Sequence, residues 1–285
     1  ETPKDVKEKT DILNRFEITL SNAEIFLKES KSLKGKFEPI GVVQGWSPDS
    51  MASAADSLIK MGYEYLAIGG MVPLSADSIL LVLDSVSKKI KKDTKIHLLG
   101  FGKIDRIKEF QKYNLYSFDT TSPLLRAFKD SKHNLIMPGK KDDLTYYTAF
   151  RIPQSTENRA LMRLIKNNLF SYEEVHIKEK NSLKLLRSFE DGSAQLEETL
   201  QSLIEYSKIY LTDHNYPDKD NSVKLERLYG DYKKLLQDKP WGKCDCQVCK
   251  KCGIQMAIFR GSNRNKRRGM HNLHVFNNQL KKICN

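Results

Sequence analysis

"PIGVVQGWSPDSMASAADSLIKMGYEYLAIGG", residues 39–70, is the stretch that decides the fold of the first part of the chain. Its apolar runs at 39–43 and 63–68 are short and end in turn-forming residues, so each run predicts a buried β-strand. The segment between them has helical spacing, with Ser47 at the cap position and Pro48 at the first helical position. The stretch therefore predicts a strand–helix–strand unit.

The same alternation of strands and helices continues on both sides of this stretch. Further strands are predicted at 95–99 and 115–118, and helices at 11–30, 75–92, 103–112 and from residue 123 onward. Four consecutive strand–helix units are typical of a parallel sheet. Four units are also half of an eight-unit barrel, so the chain either holds half of a TIM-barrel-like (β/α)8 fold or forms an open α/β sheet.

Polar or glycine residues follow each of the four predicted strands. They are Gln44, Gly69-Gly70, Gly100-Phe101-Gly102 and Asp119. The carboxyl ends of parallel strands share one face of an α/β barrel, and active sites are built on that face. Each of these residues alone can simply turn the chain, but four in register favour a functional site.

The rest of the chain has a different composition. Residues 132–238 are rich in Lys, Glu and Leu and predict helices at 154–170, 171–190, 193–214 and 222–238. We therefore predict three domains. Residues 1–131 carry the active-site strands, 132–238 form a helical insertion or appendage, and 239–285 form a basic, cysteine-rich subdomain.

The charge of the chain favours a polyanionic partner. Lys and Arg number 48 against 36 Asp and Glu, which gives a net charge of +12. This excess suits nucleic acid, although a basic surface can also serve solubility alone. No stretch approaches the roughly 20 apolar residues of a membrane span, so no membrane partner is expected. Four of the five cysteines fall in one cluster, unlike a secreted disulfide scaffold, so a reducing, cytoplasmic setting is expected.

KCDCQVCKKC, residues 243–252, indicates a metal site. Zinc takes four tetrahedral ligands, and closely spaced thiolates on a turn can supply most of them. A redox CxxC pair usually lies where a strand meets a helix, whereas this cluster follows Pro240-Trp241-Gly242 in a polar loop. Cysteines buried as small hydrophobes are the other alternative. Composition alone leaves Cys252, His271 and His274 open as the fourth ligand.

The pattern C-x-C-x2-C, followed downstream by His-Asn-Leu, resembles the zinc site of the tRNA-guanine transglycosylase family. The resemblance implies one Zn2+ ion held by Cys244, Cys246, Cys249 and His271, with Cys252 as a spare thiol. The spacing from Cys249 to His271 is a few residues shorter than in the tRNA enzymes. Because four protein ligands leave no open position, the zinc is expected to be structural.

Four further segments resemble the same family, in the same order. They are GVVQG (41–45), YEYLAIGGM (63–71), HLLGFGKIDRI (97–107) and FDTTSPLLR (118–126). The resemblance implies Asp119 as the nucleophile and a base pocket built from Gln44, Gly69, Gly70 and Met71. A glutamine can donate and accept on the edge of a purine-like base, and a strand-end carboxylate can form a covalent glycosyl-enzyme. The alternatives are a turn or helix cap for Asp119 and backbone contacts for Gln44.

Two departures from the family bear on the substrate. The DSGGFQ-like segment with a second catalytic aspartate is absent, and we expect it upstream of residue 1, within the full barrel that the resemblance implies. The stretch 253–272 is more basic than in the tRNA enzymes and resembles the DpdA-type branch, which inserts 7-deazaguanine bases such as preQ0 into DNA. The helical insertion also fits that branch. We therefore favour replacement of guanine in DNA over the same reaction in tRNA.

A duplex hides its bases, so the target nucleotide must be flipped out or presented single-stranded, and a partner protein that opens the duplex would meet this need. Five basic residues are predicted to hold the phosphates: Arg260, Arg264, Lys266, Arg267 and Arg268. The alternative for them is a solvated surface. Two other classes of function compete. A non-catalytic zinc-containing nucleic-acid-binding subunit is disfavoured by the retained Asp119, and a metal-dependent hydrolase needs His and carboxylate ligands that the strand ends lack.

Overall fold

The computed structural model describes residues 6–33, 35–139 and 143–284. Residues 1–5, 34, 140–142 and 285, which fall within the three predicted domains, lie outside the described residues. The chain divides into two compact units, Glu1–Thr121 and Ser122–Asn285. The predicted helical insertion and cysteine-rich subdomain both fall in the second unit, and the division into three domains stays a prediction.

A four-stranded parallel sheet forms the first unit. Its main elements are α1 (Val6–Ser30), β1 (Gly41–Val43), α2 (Pro48–Met61), β2 (Tyr65–Ile68), α3 (Ala76–Ser87), β3 (Lys95–Leu98), a 3-10 helix (Ile104–Tyr113) and β4 (Leu115–Phe118). The strands lie in the order β1-β2-β3-β4, which confirms the predicted succession of parallel strands. The segment predicted as a helix at 103–112 forms the 3-10 helix. The described strands do not close a barrel, so a TIM-barrel-like fold stays a proposal.

Local sequence explains where α2 begins and ends. The side chain of Ser47 accepts a hydrogen bond from the backbone N–H of Ser50, and Oγ of Ser50 accepts one from the backbone N–H of Ser47. Pro48 lies in the first turn of the helix. Gly62 ends the helix with φ 107°, a left-handed conformation that glycine adopts without a steric penalty. These caps set the length of the crossover from β1 to β2.

The two sides of the sheet differ in polarity. Val43, Ile68 and Leu98 occupy equivalent positions in adjacent strands and are fully buried. Ala67 and His97 precede the last two of these, and they point to the opposite side because successive side chains alternate along a strand. The side that carries His97 is therefore the one on which polar chemistry can be built.

One extra residue in β4 interrupts its regular pairing with β3. The pairing advances by one residue in β3, from Ile96 to His97, but by two residues in β4, so Tyr116 is the inserted residue of a β-bulge. Regular alternation would have turned Ser117 to the side of Ile96. The bulge instead places Ser117 opposite His97, and it puts Asp119, two residues further along, on the same side.

Helices dominate the second unit. Its main elements are α4 (Ser122–Lys129), β5 (Leu135–Pro138), β6 (Leu144–Tyr147), β7 (Phe150–Arg151), α5 (Arg159–Lys166), α6 (Tyr172–Asp191), α7 (Leu196–Leu211), α8 (Ser222–Asp238), α9 (Gln247–Cys252), β8 (Ile258–Phe259) and α10 (Ser262–Cys284). β5 and β6 form an antiparallel hairpin, and β7 pairs with β8 in parallel. The four helices predicted between 154 and 238 are confirmed, with different ends. The sequence did not predict the hairpin, β8 or α10.

One hydrophobic core joins the helices of the second unit to its cysteine-rich segment. Tyr206 of α7, Tyr232 of α8, Trp241 and Cys249 all belong to this core. Phe150 packs edge-on against Tyr232 and Trp241, with ring centroids 5.4 and 6.4 Å away. The cysteine-rich segment is therefore held by the same apolar contacts as the helices that precede it.

The two longest helices carry many polar residues. α1 spans 25 residues and α10 spans 23. Across the part of the chain that the structure describes, no helix is both long and apolar enough to cross a membrane.

Asn272 ties α10 to β5 and to the start of α4. Its Oδ1 accepts a hydrogen bond from the backbone N–H of Ile136 at 2.9 Å. Its Nδ2 donates to the carbonyl oxygens of Asn134 and Pro123, both at 3.1 Å. The side chain is fully buried. A buried amide that is satisfied on both its oxygen and its nitrogen fixes the helix against the backbone of the unit.

Replacing this side chain should destabilise the protein. Asn272→Ala removes the acceptor of the Ile136 N–H and two hydrogen bonds to backbone carbonyl groups, so we expect the free energy of unfolding to fall by about 2–3 kcal/mol. Denaturant titration followed by circular dichroism measures the change. Asn277→Ala, at an exposed position of the same helix, is the matched control and should cost less than about 0.5 kcal/mol. Equal effects of the two changes would contradict the role of Asn272.

Candidate active site and metal centre

Three of the predicted base-binding residues line one cavity in the first unit. The cavity has a volume of about 310 Å3 and lies where β1 and β2 end. It is lined by Gln44, Gly45, Trp46, Gly69 and Gly70 from the strand ends and by Ile12, Arg15, Phe16 and Thr19 from α1. Apolar walls with a few polar groups are typical of sites for small flat ligands, and a cavity of this size suits a single heterocyclic base.

Phe16 and Trp46 form an aromatic wall of this cavity, which the sequence pattern did not predict. Phe16 of α1 packs edge-on against Trp46, with ring centroids 5.6 Å apart. Arg15, also on α1, is paired with Asp11 at 2.7 Å. The amphipathic spacing of 11–30 indicated the helix, and Trp46 directly after the Gln-Gly turn was the available signal for an aromatic group at the site. The position of α1 over the strand ends depends on packing, which the sequence pattern does not encode.

The three residues that follow β2 are Gly69, Gly70 and Met71, and they differ in backbone conformation and in surroundings. Gly70 has φ 74°, a conformation that strains other residues. A Cβ on Gly69 would instead lie 3.5 Å from Cγ of Gln44, an ordinary contact, so Gly69 leaves open the space beside the glutamine. Met71 is fully buried in the core and is not among the described residues that line the cavity. The structure thus brings Gln44, Gly69 and Gly70 together and leaves the Met71 side chain outside the cavity.

Asp119 is held through one oxygen at the end of β4. Its Oδ1 accepts a hydrogen bond from the backbone N–H of Gly100 at 3.0 Å and lies 3.2 Å from Nε2 of His97. The Gly100 bond, helped by His97, lowers the pKa of the Asp119 carboxyl below its ordinary value and outweighs the effect of slight burial. The side chain is 58% exposed, so an ionised carboxylate faces solvent at neutral pH.

The carboxylate and the cavity lie at the same end of the sheet. Gly69 donates its backbone N–H to the carbonyl oxygen of Val43, and Asp119 donates to that of Leu98, so both residues follow their strands directly. β4 lies two strands away from β2 in this sheet, a separation of about 10 Å. Asp119 is not among the described residues that line the cavity. A ligand that touches both must therefore extend from the cavity toward β4.

Three cysteines and a histidine form a candidate metal centre in the second unit. Cys244, Cys246, Cys249 and His271 are buried, and their ligand atoms all lie within 4.8 Å of one another. Cys246 is the N-cap of α9, where its sulfur accepts a hydrogen bond from the backbone N–H of Cys249 at 3.3 Å. α10 supplies the histidine. The structure therefore brings together all four predicted ligands.

The distances fit a tetrahedral metal ion. Nδ1 of His271 lies 3.9, 3.3 and 3.4 Å from the sulfurs of Cys244, Cys246 and Cys249. Zinc with bonds of about 2.3 Å to sulfur and about 2.0–2.1 Å to nitrogen would separate those atoms by about 3.6 Å in tetrahedral geometry. Nε2 of His271 donates to the carbonyl oxygen of Ile136 at 2.7 Å, so Nδ1 is the ring nitrogen that faces the sulfurs and that a metal ion would use.

Hydrogen bonds within this group shift the pKa values of its members. A hydrogen bond from the Cys249 thiol lowers the pKa of Cys244 to about 3. Burial disfavours a charged imidazole, but hydrogen bonds to Cys244 and Cys246 outweigh it and raise the pKa of His271 to about 9. A divalent cation held by the four ligands would take the place of these shared protons.

The structure also separates the candidates for the fourth ligand that the sequence left open. Cys252, at the end of α9, is partly exposed and is not a member of the group. His274 is exposed, and its Nε2 is bonded to Nδ2 of Asn278 at 2.9 Å. His271 is the candidate that faces the three sulfurs.

The five basic residues predicted to bind phosphates do not share one environment. Arg268 is fully buried and donates to the carbonyl oxygens of Ile258 and Ala127 at 2.8 and 2.6 Å. The side chain of Arg260 is 13% exposed and is paired with Glu179 at 2.5 Å. Both guanidinium groups bind other groups of the protein, whereas the sequence analysis expected them to bind phosphates.

The other three lie in the first two turns of α10. Lys266 and Arg267 are exposed, and Arg264 is half-buried. Nη1 of Arg264 is buried and has no hydrogen-bond partner among the described residues. Burial, and then the charge of neighbouring arginines, lowers the pKa of Arg264. Uncompensated cations near the start of a long helix favour an anion at that place.

The first unit has a base-sized cavity and an anchored carboxylate at the ends of parallel strands, and the second has a buried Cys3His group. Together they define an α/β protein with a strand-end site of the kind that α/β enzymes use, and with a group of side chains that could hold a metal ion. No protein-family model matches the chain. Two individual proteins are similar to the chain.

The chain is 36% identical over 266 residues to a DNA-guanine transglycosylase of Salmonella montevideo, an alignment that covers 93% of this chain and 60% of that protein. It is 28% identical over 98 residues to a queuine tRNA-ribosyltransferase of Chlamydia felis, which covers 34% of this chain and 25% of that protein. The chain is therefore a relative of the tRNA-guanine transglycosylase family. It spans less than two thirds of the length of either relative.

Metal content tests the ligand set. We expect about one zinc ion per chain, because the four side chains fill a tetrahedral shell. His271→Ala should lose the metal and lower the melting temperature, whereas Cys252→Ala, the matched control within the same segment, should keep both. Elemental analysis and thermal melts of the purified variants measure this. Metal that persists in His271→Ala and disappears in Cys252→Ala would contradict the assignment.

Proposed function

We propose that this protein is a transglycosylase that replaces guanine in DNA with a 7-deazaguanine base, with Asp119 as the nucleophile. The observation that carries the proposal is the Asp119 carboxylate. It is exposed, has a lowered pKa, and lies at the same end of the sheet as a base-sized cavity. The similarity to a DNA-guanine transglycosylase over 93% of the chain supports this reading.

Base exchange breaks an N-glycosidic bond, and its transition state carries positive charge at C1′ of the sugar. In the proposed reaction Asp119 bonds to C1′ while the bond to guanine breaks, and guanine leaves with the electron pair and takes up a proton. The incoming base then attacks C1′, releases Asp119 and gives up a proton. A lowered pKa keeps the carboxylate ionised at neutral pH, as a nucleophile requires.

The cavity supplies the groups that a purine-like base needs. The amide of Gln44 can donate and accept hydrogen bonds at one edge of the ring. Gly69 leaves space beside that amide, and the aromatic pair of Phe16 and Trp46 offers apolar surface. Gly70 presents its backbone without a side chain, and Met71 would support the floor of the pocket from the core.

DNA is favoured over tRNA as the substrate. The DNA-guanine transglycosylase aligns with 93% of this chain, so the similarity includes most of the second unit, whereas the tRNA enzyme aligns with 34%. The same chemistry on tRNA is the alternative. A base in duplex DNA must be flipped out, or a partner protein must open the duplex, before it can reach the cavity.

The Cys3His group would hold a structural zinc ion, because four protein ligands leave no position for a substrate. Its ligands come from α9, α10 and the loop before α9, so the metal would fix the first turns of α10. Lys266 and Arg267, with the half-buried Arg264, would then contact phosphates. Arg260 and Arg268 would support this surface from within the protein.

A non-catalytic nucleic-acid-binding subunit is the second candidate. The metal centre and the basic start of α10 would serve that function equally well. Binding alone does not require a carboxylate held through one oxygen beside a base-sized cavity, which is why the enzymatic proposal is preferred. Activity with labelled base separates the two.

Loss of the Asp119 charge should abolish exchange. Asp119→Asn keeps the size of the side chain but cannot form the glycosyl ester, so we expect the rate to fall by roughly three orders of magnitude or more. Incorporation of a labelled 7-deazaguanine base is measured separately with DNA and with tRNA. Only the unmutated protein should give a protein–nucleic acid adduct on a denaturing gel.

Asp93→Asn, which removes one carboxylate from an exposed position before β3, is the matched control and should retain full activity. Near-normal exchange by Asp119→Asn would reject the mechanism. Label that enters tRNA and not DNA would reject the choice of substrate.

Phosphate binding by α10 predicts a change in salt dependence. Replacing Lys266 and Arg267 with Ala should weaken DNA binding and reduce the slope of log affinity against log salt by up to about 0.9 per lost contact. Lys281→Ala with Lys282→Ala removes the same charge from the other end of the helix and should leave the slope unchanged. Binding titrations at several salt concentrations measure the slopes. Equal slopes for both double variants would assign Lys266 and Arg267 to ordinary surface.

A further inference from the structure

A chain of hydrogen bonds runs across three strands toward Asp119. Oη of Tyr65 in β2 lies 2.5 Å from Oγ of Ser117 in β4, and that oxygen lies 2.6 Å from Nδ1 of His97 in β3. Nε2 of the same imidazole lies 3.2 Å from Oδ1 of Asp119. Tyr65 is 7% exposed and the His97 side chain is 17% exposed. The chain thus leads from a buried phenol to an exposed carboxylate.

Donor and acceptor rules give this chain a direction. An ionised carboxylate only accepts hydrogen bonds, so Nε2 of His97 must carry the hydrogen that it shares with Asp119. In a neutral imidazole Nδ1 is then an acceptor, and the hydroxyl of Ser117 must donate to it. The oxygen of Ser117 remains free to accept from the hydroxyl of Tyr65. Every hydroxyl in the chain then points toward the carboxylate.

We propose that His97 is a positioning residue for Asp119, and that Ser117 and Tyr65 hold its imidazole in the Nε2–H tautomer. The inference rests on the proposed function, since the aim of the carboxylate matters only if Asp119 is the nucleophile. It assigns a role to three side chains of the strands that lie behind the strand-end site.

Geometry supports this role. Both bonds to Asp119 go to Oδ1, one from His97 and one from Gly100, so the carboxylate is anchored in two directions and presents Oδ2 for attack on C1′. A single anchor would allow the carboxylate to turn about its own axis. The β-bulge at Tyr116 is also required, because it brings the Ser117 hydroxyl to the side of the sheet on which His97 lies.

Variants of the chain should change the rate of the chemical step. A displacement of about 1 Å in a reacting group can cost about 100-fold in rate. We therefore expect His97→Ala to lower kcat by about 10- to 100-fold with little change in KM for the incoming base, because none of the three residues lines the cavity. Ser117→Ala should lower kcat by about 10-fold, and Ser117→Thr, which keeps a hydroxyl, should restore it.

The tautomer provides a readout that does not depend on activity. Protein labelled with 15N-histidine is studied by long-range 1H–15N NMR, and the His97 signals are identified by their absence from His97→Ala. The expected spectrum shows a protonated Nε2 and an unprotonated Nδ1 in the unmutated protein. Ser117→Ala should move the Nδ1 signal away from its hydrogen-bonded position, and Ser117→Thr should return it. Circular dichroism confirms that each variant is folded.

Several results would overturn the inference. A His97 that is protonated at Nδ1, alone or together with Nε2, would contradict the direction of the chain. A kcat that Ser117→Ala and His97→Ala leave unchanged in a protein that exchanges base would contradict the positioning role. Absence of exchange in the unmutated protein rejects the proposed function instead, and the NMR spectrum of that same sample still decides the tautomer.

Discussion

The imidazole of His271 connects α10 to β5 and to the cysteine-rich segment of the second unit. One ring nitrogen donates to the backbone of β5, and the other faces three sulfurs from α9 and the loop before it. Asn272, the next residue, bonds the same strand at the same residue, Ile136. Since both side chains are fully buried, any change in the position of α10 would break all of these contacts together. The basic first turns of that helix are therefore presented by a rigid support.

In the first unit the corresponding constraint comes from the backbone of a parallel sheet. Strands that run in one direction bring their carboxyl ends to one edge, so Gln44, Gly69 and Asp119 approach one another although many residues separate them in the chain. The sheet also determines electrostatics. The backbone N–H of Gly100 stabilises the charged form of Asp119 without any buried cation, which leaves the carboxylate both ionised and open to solvent.

The sequence predicts the strands and α2 well because their signals are local: short apolar runs, a capping serine and a terminal glycine. The four residues predicted to bind a metal lie together in the structure, and three of the residues predicted to bind a base line one cavity. The sequence could not show that Arg268 is buried, because the carbonyl of Ala127 that the side chain meets lies 141 residues away. The same holds for the wall that Phe16 adds to the cavity. Long-range packing decided both, and for Arg268 the residue type alone suggested a contact with phosphate.

The bulge at Tyr116 separates two properties that a sequence alignment treats as one, the place of a residue in the chain and the direction in which it points. Two homologous strands can both align a Phe-Asp pair at their ends, yet a chain with a regular β4 would turn the aspartate into the apolar layer. The number of residues in β4 therefore determines the direction of the Asp119 side chain, so it matters to the site as much as the aspartate itself does. A gap of one residue upstream of Asp119 is a more informative difference between relatives than most substitutions in the strand.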